Sequence, residues 1–265
     1  MLLTFCFLFR TSSVFSQEWK EQKGDHFIVY YTREEALAKE IIRKAEIYYN
    51  RIAEDLGYPR YSNFWEWDNR CKVYVHPDKQ VFQKATGQPD WSHGMASYLN
   101  KTIHTIEGTP DFTDRVLPHE ITHLIFRDFV GMAGSIPLWI DEGVAQWEEE
   151  GKRESVRSQL RRYVVRGDVF SLTKLSLTDI RRSSDADTVA LFYMQAISVV
   201  DYIVSRYGAA SFTAFCRDLR DGKTLEDSAR SAFSASIKDL DALESDWRQY
   251  VLKTYPRQDK GEKDE

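Results

Sequence analysis

Pro118-His119-Glu120-Ile121-Thr122-His123-Leu124-Ile125 is the stretch from which the fold is read. It lies inside a pattern of helical spacing that runs from about Arg115 to Phe129, so its two histidines, four residues apart, share one helix face. At that separation two imidazoles can grip a single ion. Glu120 is turned about 100° from His119 by helical geometry. That places its carboxylate beside the ion and outside its coordination shell, where it can take a proton from a metal-activated water. Pro118 belongs in a first helical turn, where its missing N–H costs little. The helix therefore begins within a turn of it, and the histidines fall early, on a face with Ile121, Leu124 and Ile125. The spacing also arises by accident in ordinary helices. A catalytic metal needs a third protein ligand and a position open to water, so the next carboxylate or imidazole decides the matter.

Downstream, Pro137-Leu138-Trp139-Ile140-Asp141-Glu142-Gly143-Val144-Ala145-Gln146-Trp147 reads as a helix start that presents Glu142 one turn in, with Asp141 as a rival carboxylate. Residues 124 through 141, 18 positions, separate His123 from Glu142. A His-Glu-x-x-His helix, 18 intervening residues and a Glu-Gly-x-Ala helix together resemble the gluzincin peptidases, specifically the peptidase MA-like group. The resemblance implies that Glu142 completes a three-ligand site with His119 and His123, that one zinc ion is held there, and that the two helices pack across it. It further implies peptide hydrolysis, with Glu120 as the general base that passes its proton to the leaving amine. Tyr193-Met194-Gln195-Ala196 is similar to the segment of gluzincin aminopeptidases that begins Tyr-x-Lys-Gly, with Gln195 for the lysine and Ala196 for the glycine. Carried over, the Tyr193 hydroxyl would hydrogen-bond the oxyanion of the intermediate.

The same resemblance places the substrate-binding sheet edge at Thr102 to Ile106 or at Gly94 to Tyr98. Neither contains the Gly-x-Met-Glu-Asn sequence of the aminopeptidase branch, so aminopeptidase specificity is not expected. Gln146, four residues beyond Glu142, is expected to orient a ligand imidazole through its amide oxygen. His93 and His104 are read as structural or surface histidines, and Glu148 to Glu150 as a solvated helix end. The alternative from another class is a catalytically silent zincin-fold protein that serves binding or envelope structure.

Working outward, Asp25 to Thr32 is β-branched and aromatic and reads as a strand, followed by a long helix over Glu34 to Leu56 that Gly57 and Pro59 stop. Cys71 to Val75 and Thr102 to Ile106 read as further strands. After Gly108 and Pro110 the pattern is helical: Glu154 to Val165, Thr188 to Tyr207, Ala210 to Asp221, Leu225 to Phe233 and Ile237 to Tyr255 follow the two site helices. Strands grouped early and helices grouped late give an α+β class, zincin-like, with a small mixed-sheet lobe over 17–110 and a mainly helical lobe over 111–256. Residues 257–265 form a charged tail.

The chain has 265 residues, 42% hydrophobic and 29% charged, enough to bury a core without disulfides. Its net charge of -5 argues against a nucleic-acid partner bound by phosphate neutralisation; the expected partner is a peptide or protein substrate. The basic cluster from Lys152 to Arg166 reads as a solvated helix face. Residues 1–16 begin with the apolar run Leu2 to Phe9 and read as a signal peptide cleaved after Ser16, implying a secreted or periplasmic location. The competing reading is the N-terminus of a cytoplasmic protein. The run is too short to span a bilayer, so no transmembrane segment is expected there, and Cys6 lacks the small neighbour of a lipid-anchored cysteine. Cys71 and Cys216 read either as a pair or as two buried thiols.

Overall fold

A computed structural model describes residues 18–57, 65–90, 92, 94–131 and 136–257. The signal-peptide reading, Cys6, Pro59, His93 and the end of the charged tail lie outside them. Among the described residues, strands β1 (Lys20–Lys23), β2 (Phe27–Tyr31), β3 (Cys71–His76), β4 (Gly94–Ser97) and β5 (Thr102–Ile106) form one mixed sheet in the order β1-β2-β3-β5-β4. β2, β3 and β5 run parallel, and the two outer strands are antiparallel to their neighbours. Thr102–Ile106 is therefore interior, and Gly94–Ser97 is the sheet edge on that side.

Among the described residues, ten α-helices accompany the sheet: α1 (Glu35–Asp55), α2 (Lys79–Thr86), α3 (Leu117–Val130), α4 (Leu138–Trp147), α5 (Lys152–Arg166), α6 (Leu172–Leu177), α7 (Ala186–Tyr207), α8 (Ala209–Arg220), α9 (Leu225–Ala232) and α10 (Leu240–Thr254). The architecture is α+β, with the sheet first and a mainly helical region after it. β2 buries Phe27, Val29 and Tyr31 on one face and Ile28 on the other, since successive side chains of a strand point to opposite faces. α1 answers with Ala38, Ile41, Ala45, Tyr48 and Ile52, all buried on a single stripe. Gly57 takes a left-handed φ of 63° just beyond that helix, a conformation available to glycine without steric cost.

α7 is buried almost all round from Gln195 to Ile203, which makes it the core of the helical region. It is also long and apolar enough to cross a membrane; here it packs against α4, α5 and α8. Asp201, only 2% exposed, joins three of these helices. Arg157 of α5 donates two hydrogen bonds to it at 2.9 Å and one at 3.1 Å, and the Trp147 indole donates another at 3.2 Å. A buried carboxylate so paired avoids the cost of an isolated buried charge.

The basic cluster on α5 consequently differs from a solvated face. Arg157 is committed to Asp201, Arg161 is buried and donates to the Leu252 carbonyl, and Arg153 covers the Trp147 ring at 4.1 Å. Long cationic stems cover apolar surface while their heads find partners, which charge spacing alone does not reveal. Cys71 and Cys216 are both buried and free, as the second of the two cysteine readings has it.

Candidate metal centre

α3 is launched from a π-helical turn at Phe112–Val116, and Pro118 occupies its first turn. Lys44 of α1 pins that turn through an ion pair with Asp114. His119 and His123 then face one point. Their Nε2 atoms are 3.1 Å apart, and with a Glu142 carboxylate oxygen they form a group whose atoms all lie within 4.8 Å of one another. Glu120, half-buried, follows directly on His119.

Gly143 explains how Glu142 is brought there. A β-carbon at this position would lie 2.8 Å from the Ala196 carbonyl oxygen, so α4 and α7 cross in backbone contact that no other residue permits. Tyr193, three residues before Ala196, lies on the same side of α7. Burial and the Glu142 charge push its hydroxyl up to about 12, against a lowering influence of Arg181.

Each imidazole is backed at Nδ1 by a carboxylate. His123 pairs with Asp141 at 3.0 Å and His119 with Glu149 at 2.9 Å, and Arg127 donates to the other Asp141 oxygen at 2.6 Å. Burial disfavours charge on His123, but the Asp141 hydrogen bond and the charges of Asp141, Glu142 and Glu120 outweigh it and hold the ring up at about 9. Asp141 stays ionised below the usual carboxylate range despite its own burial, through His123 and Arg127. The surroundings thus favour positive charge at the point where the rings meet.

These donors suit a divalent metal. When each Nδ1 carries the proton it gives to a carboxylate, both Nε2 lone pairs face each other across 3.1 Å, an arrangement that a cation between them relieves. Two imidazoles and one carboxylate are also the ligand set of open, water-accepting zinc sites.

Two expectations need correction. Gln146 does not orient an imidazole: its Oε1 is buried without a hydrogen-bond partner. Asp141, the rival carboxylate, sits behind His123 and leaves Glu142 as the third donor, as expected. Glu148 to Glu150 is not a plain solvated end, because α4 stops at Trp147 and the chain turns Glu149 back onto His119. Glu148 is buried against Arg51, with contacts of 3.0 and 3.1 Å, and burial pushes it up to about 7. His104 is half-buried and pairs with His76 at 3.0 Å, a structural role.

Tyr98 was visible only as the end of a strand. It follows the edge strand β4, and its ring meets that of His123 edge-on, with centroids 6.3 Å apart. Gln195, where the aminopeptidases carry lysine, is fully buried and satisfies both peptide groups of Phe170, at 2.9 and 2.7 Å.

A mixed sheet with an antiparallel edge, a helix bearing His119, Glu120 and His123 beside it, and a crossing helix that delivers Glu142 define a peptidase-like fold. The family model of the peptidase MA superfamily matches residues 66–253, and the chain belongs to that superfamily. No curated protein matches the chain in sequence.

Proposed function

We propose that this chain is a zinc-dependent peptidase that hydrolyses peptide bonds at the centre formed by His119, His123 and Glu142. The observation that carries the reading is the convergence of these three donors within 4.8 Å of one another, with Glu120 adjacent. Metal-supporting carboxylates behind both histidines strengthen it. Zinc bound there would polarise the scissile carbonyl and make an attacking water more acidic.

The remaining steps belong to the side chains. Glu120 accepts the water's proton as attack proceeds and delivers it to the departing amine. Tyr193 keeps its proton, and its hydroxyl donates to the oxygen on which negative charge develops, a contact that matters most in the transition state. β4, with one edge unpaired by any described strand, offers main-chain hydrogen bonds to an extended peptide. Asp141 and Glu149 hold the imidazoles in the tautomer that presents Nε2.

Digestion of a mixed peptide library tests the proposal. Zinc-loaded protein should cleave, chelation should abolish cleavage, and added zinc should restore it. Absence of cleavage by protein of full zinc content would favour a silent binding or structural role.

A further inference from the structure

The loops that enter β2 and β3 lie side by side at one end of the sheet, where the Cys71 N–H donates to the His26 carbonyl at 2.9 Å. A cleft of about 440 Å³ opens there, lined by Gly24, Asp25, His26, Glu66, Trp67 and Arg70. Its volume falls in the range of small-molecule sites, about 300–1,000 Å³, and none of these residues belongs to the metal centre. Trp67 is 81% exposed, and its backbone holds a left-handed φ of 51°, a strained conformation for a bulky residue. Folding therefore gains little burial from this indole and carries the strain of placing it.

The wall beside the indole is held from several sides. Arg70 donates from Nε to the Trp67 carbonyl at 2.9 Å and from Nη1 to the Gly24 carbonyl at 3.1 Å, bridging the two loops. Glu46 accepts from the His26 N–H at 2.9 Å and pairs with its Nδ1 at 2.6 Å, and the ring stacks on Tyr49 at 4.0 Å. Gly24 makes room for that carboxylate: a β-carbon there would lie 2.6 Å from Glu46 Oε1. Among the described residues, none bonds to Arg70 Nη2, His26 Nε2 or the carboxylates of Asp25 and Glu66. Donors and acceptors thus surround an exposed apolar plate.

We propose that this cleft binds a saccharide, with the Trp67 indole against the C–H face of one sugar ring and the ring's hydroxyls bonded by Glu66, Asp25 and Arg70. The mixed signs of the wall decide the ligand class. An anion meets Asp25 and Glu66, a cation meets Arg70, and either is disfavoured by the like charge it faces. A purely apolar ligand would strip water from these polar groups and return no hydrogen bond. A sugar ring has apolar C–H groups on its face and, at its edge, hydroxyls that both donate and accept, so it suits plate and wall together.

Titration of the zinc-loaded full chain with maltohexaose, cellohexaose and chitohexaose, followed by calorimetry and tryptophan fluorescence, tests the assignment. At least one should shift the emission and bind with a Kd of about 1 mM or tighter, as one covered indole and a few hydrogen bonds to charged groups allow. Trp67→Gly should weaken that binding at least about tenfold. The same variant should unfold at an unchanged or higher temperature, because glycine accepts the left-handed backbone without strain. A residue that served the fold alone would show the reverse. Glu66→Gln should weaken binding about fivefold. Tetramethylammonium and inorganic phosphate probe the two charged classes, and neither should bind as tightly as the saccharide.

No binding of any of the three oligosaccharides would overturn the proposal. So would an affinity unchanged in Trp67→Gly or in Glu66→Gln, or tighter binding of tetramethylammonium or phosphate. Hydrolysis is read separately, since Trp67→Gly should cleave peptides as the wild type does. A wild type that binds the saccharide and cleaves nothing would leave this assignment standing and remove the hydrolytic one.

Discussion

Two pairs of histidines in this molecule have nearly the same spacing and opposite surroundings. His119 and His123 approach to 3.1 Å, and His76 and His104 to 3.0 Å. In the first pair the outer ring nitrogens meet Glu149 and Asp141, and His123 is held up at about 9. In the second, His76 lies among rings: Trp19 and Phe82 meet it edge-on, at 5.5 and 5.8 Å, and His104 stacks on Tyr74 at 4.9 Å. Burial and the neighbouring His104 push His76 down to about 4, and its Nδ1 has no partner. What separates a metal-ready pair from a packing pair is thus the group behind each ring, more than the distance between rings.

The largest expected effect breaks the first pair and spares the second. His123→Ala should reduce bound zinc from about one ion per chain to background, by elemental analysis, because two remaining donors do not make a site. His104→Phe should leave zinc content unchanged.

A sharper contrast lies in pH dependence. His76 titrates at about 4 in the folded chain and near 6.5 when unfolded. Unfolded protein therefore binds more protons in that window, and stability present above pH 6.5 is lost as pH falls through 4, by about 3 kcal/mol. His123 has the opposite sign. After chelation its contribution is complete below pH 6.5 and is lost as pH rises through about 9. Urea unfolding of chelated protein across this range should show both slopes; His76→Phe should flatten the acid limb alone.

Smaller effects are expected behind the ligands. Asp141→Asn should weaken zinc affinity by about ten- to a hundredfold, by competition with a chelator. Glu149→Gln should cost less, about tenfold at most, because the Glu149 side chain is 12% exposed against 6% for Asp141.

Much of this was legible in the sequence, for a physical reason. Helical period places His119 and His123 together, whereas Glu142, beyond 18 intervening residues, was assigned through the resemblance, and the Gly143 crossing that brings it there is visible only in the structure. The strands β2, β3 and β5 and the long helices announced themselves by β-branched content or sustained period. β1 and α6, four and six residues long, are too short for a period to establish itself, and α2 buries only Phe82, so it shows no apolar stripe. The support behind the histidines was expected from Gln146, four residues beyond Glu142, and Glu149 was read as part of a solvated helix end. α4 ends at Trp147, and the turn that follows returns Glu149 to His119. Asp141 carried a readable signal, as the neighbour of a ligand on the same helix, but position alone does not distinguish a ligand from the group behind one. Arg157 and Arg161 show the same limit, since their partners Asp201 and Leu252 lie far away in sequence.

Glu120 separates a peptidase, which needs it, from a zinc site, which does not. Wild type and Glu120→Gln should be compared for zinc content and for cleavage of the same peptide library. Equal zinc in both, with cleavage in the wild type and a loss of at least about a hundredfold in the variant, is the result predicted. Undiminished cleavage by Glu120→Gln, or none by fully zinc-loaded wild type, would contradict it.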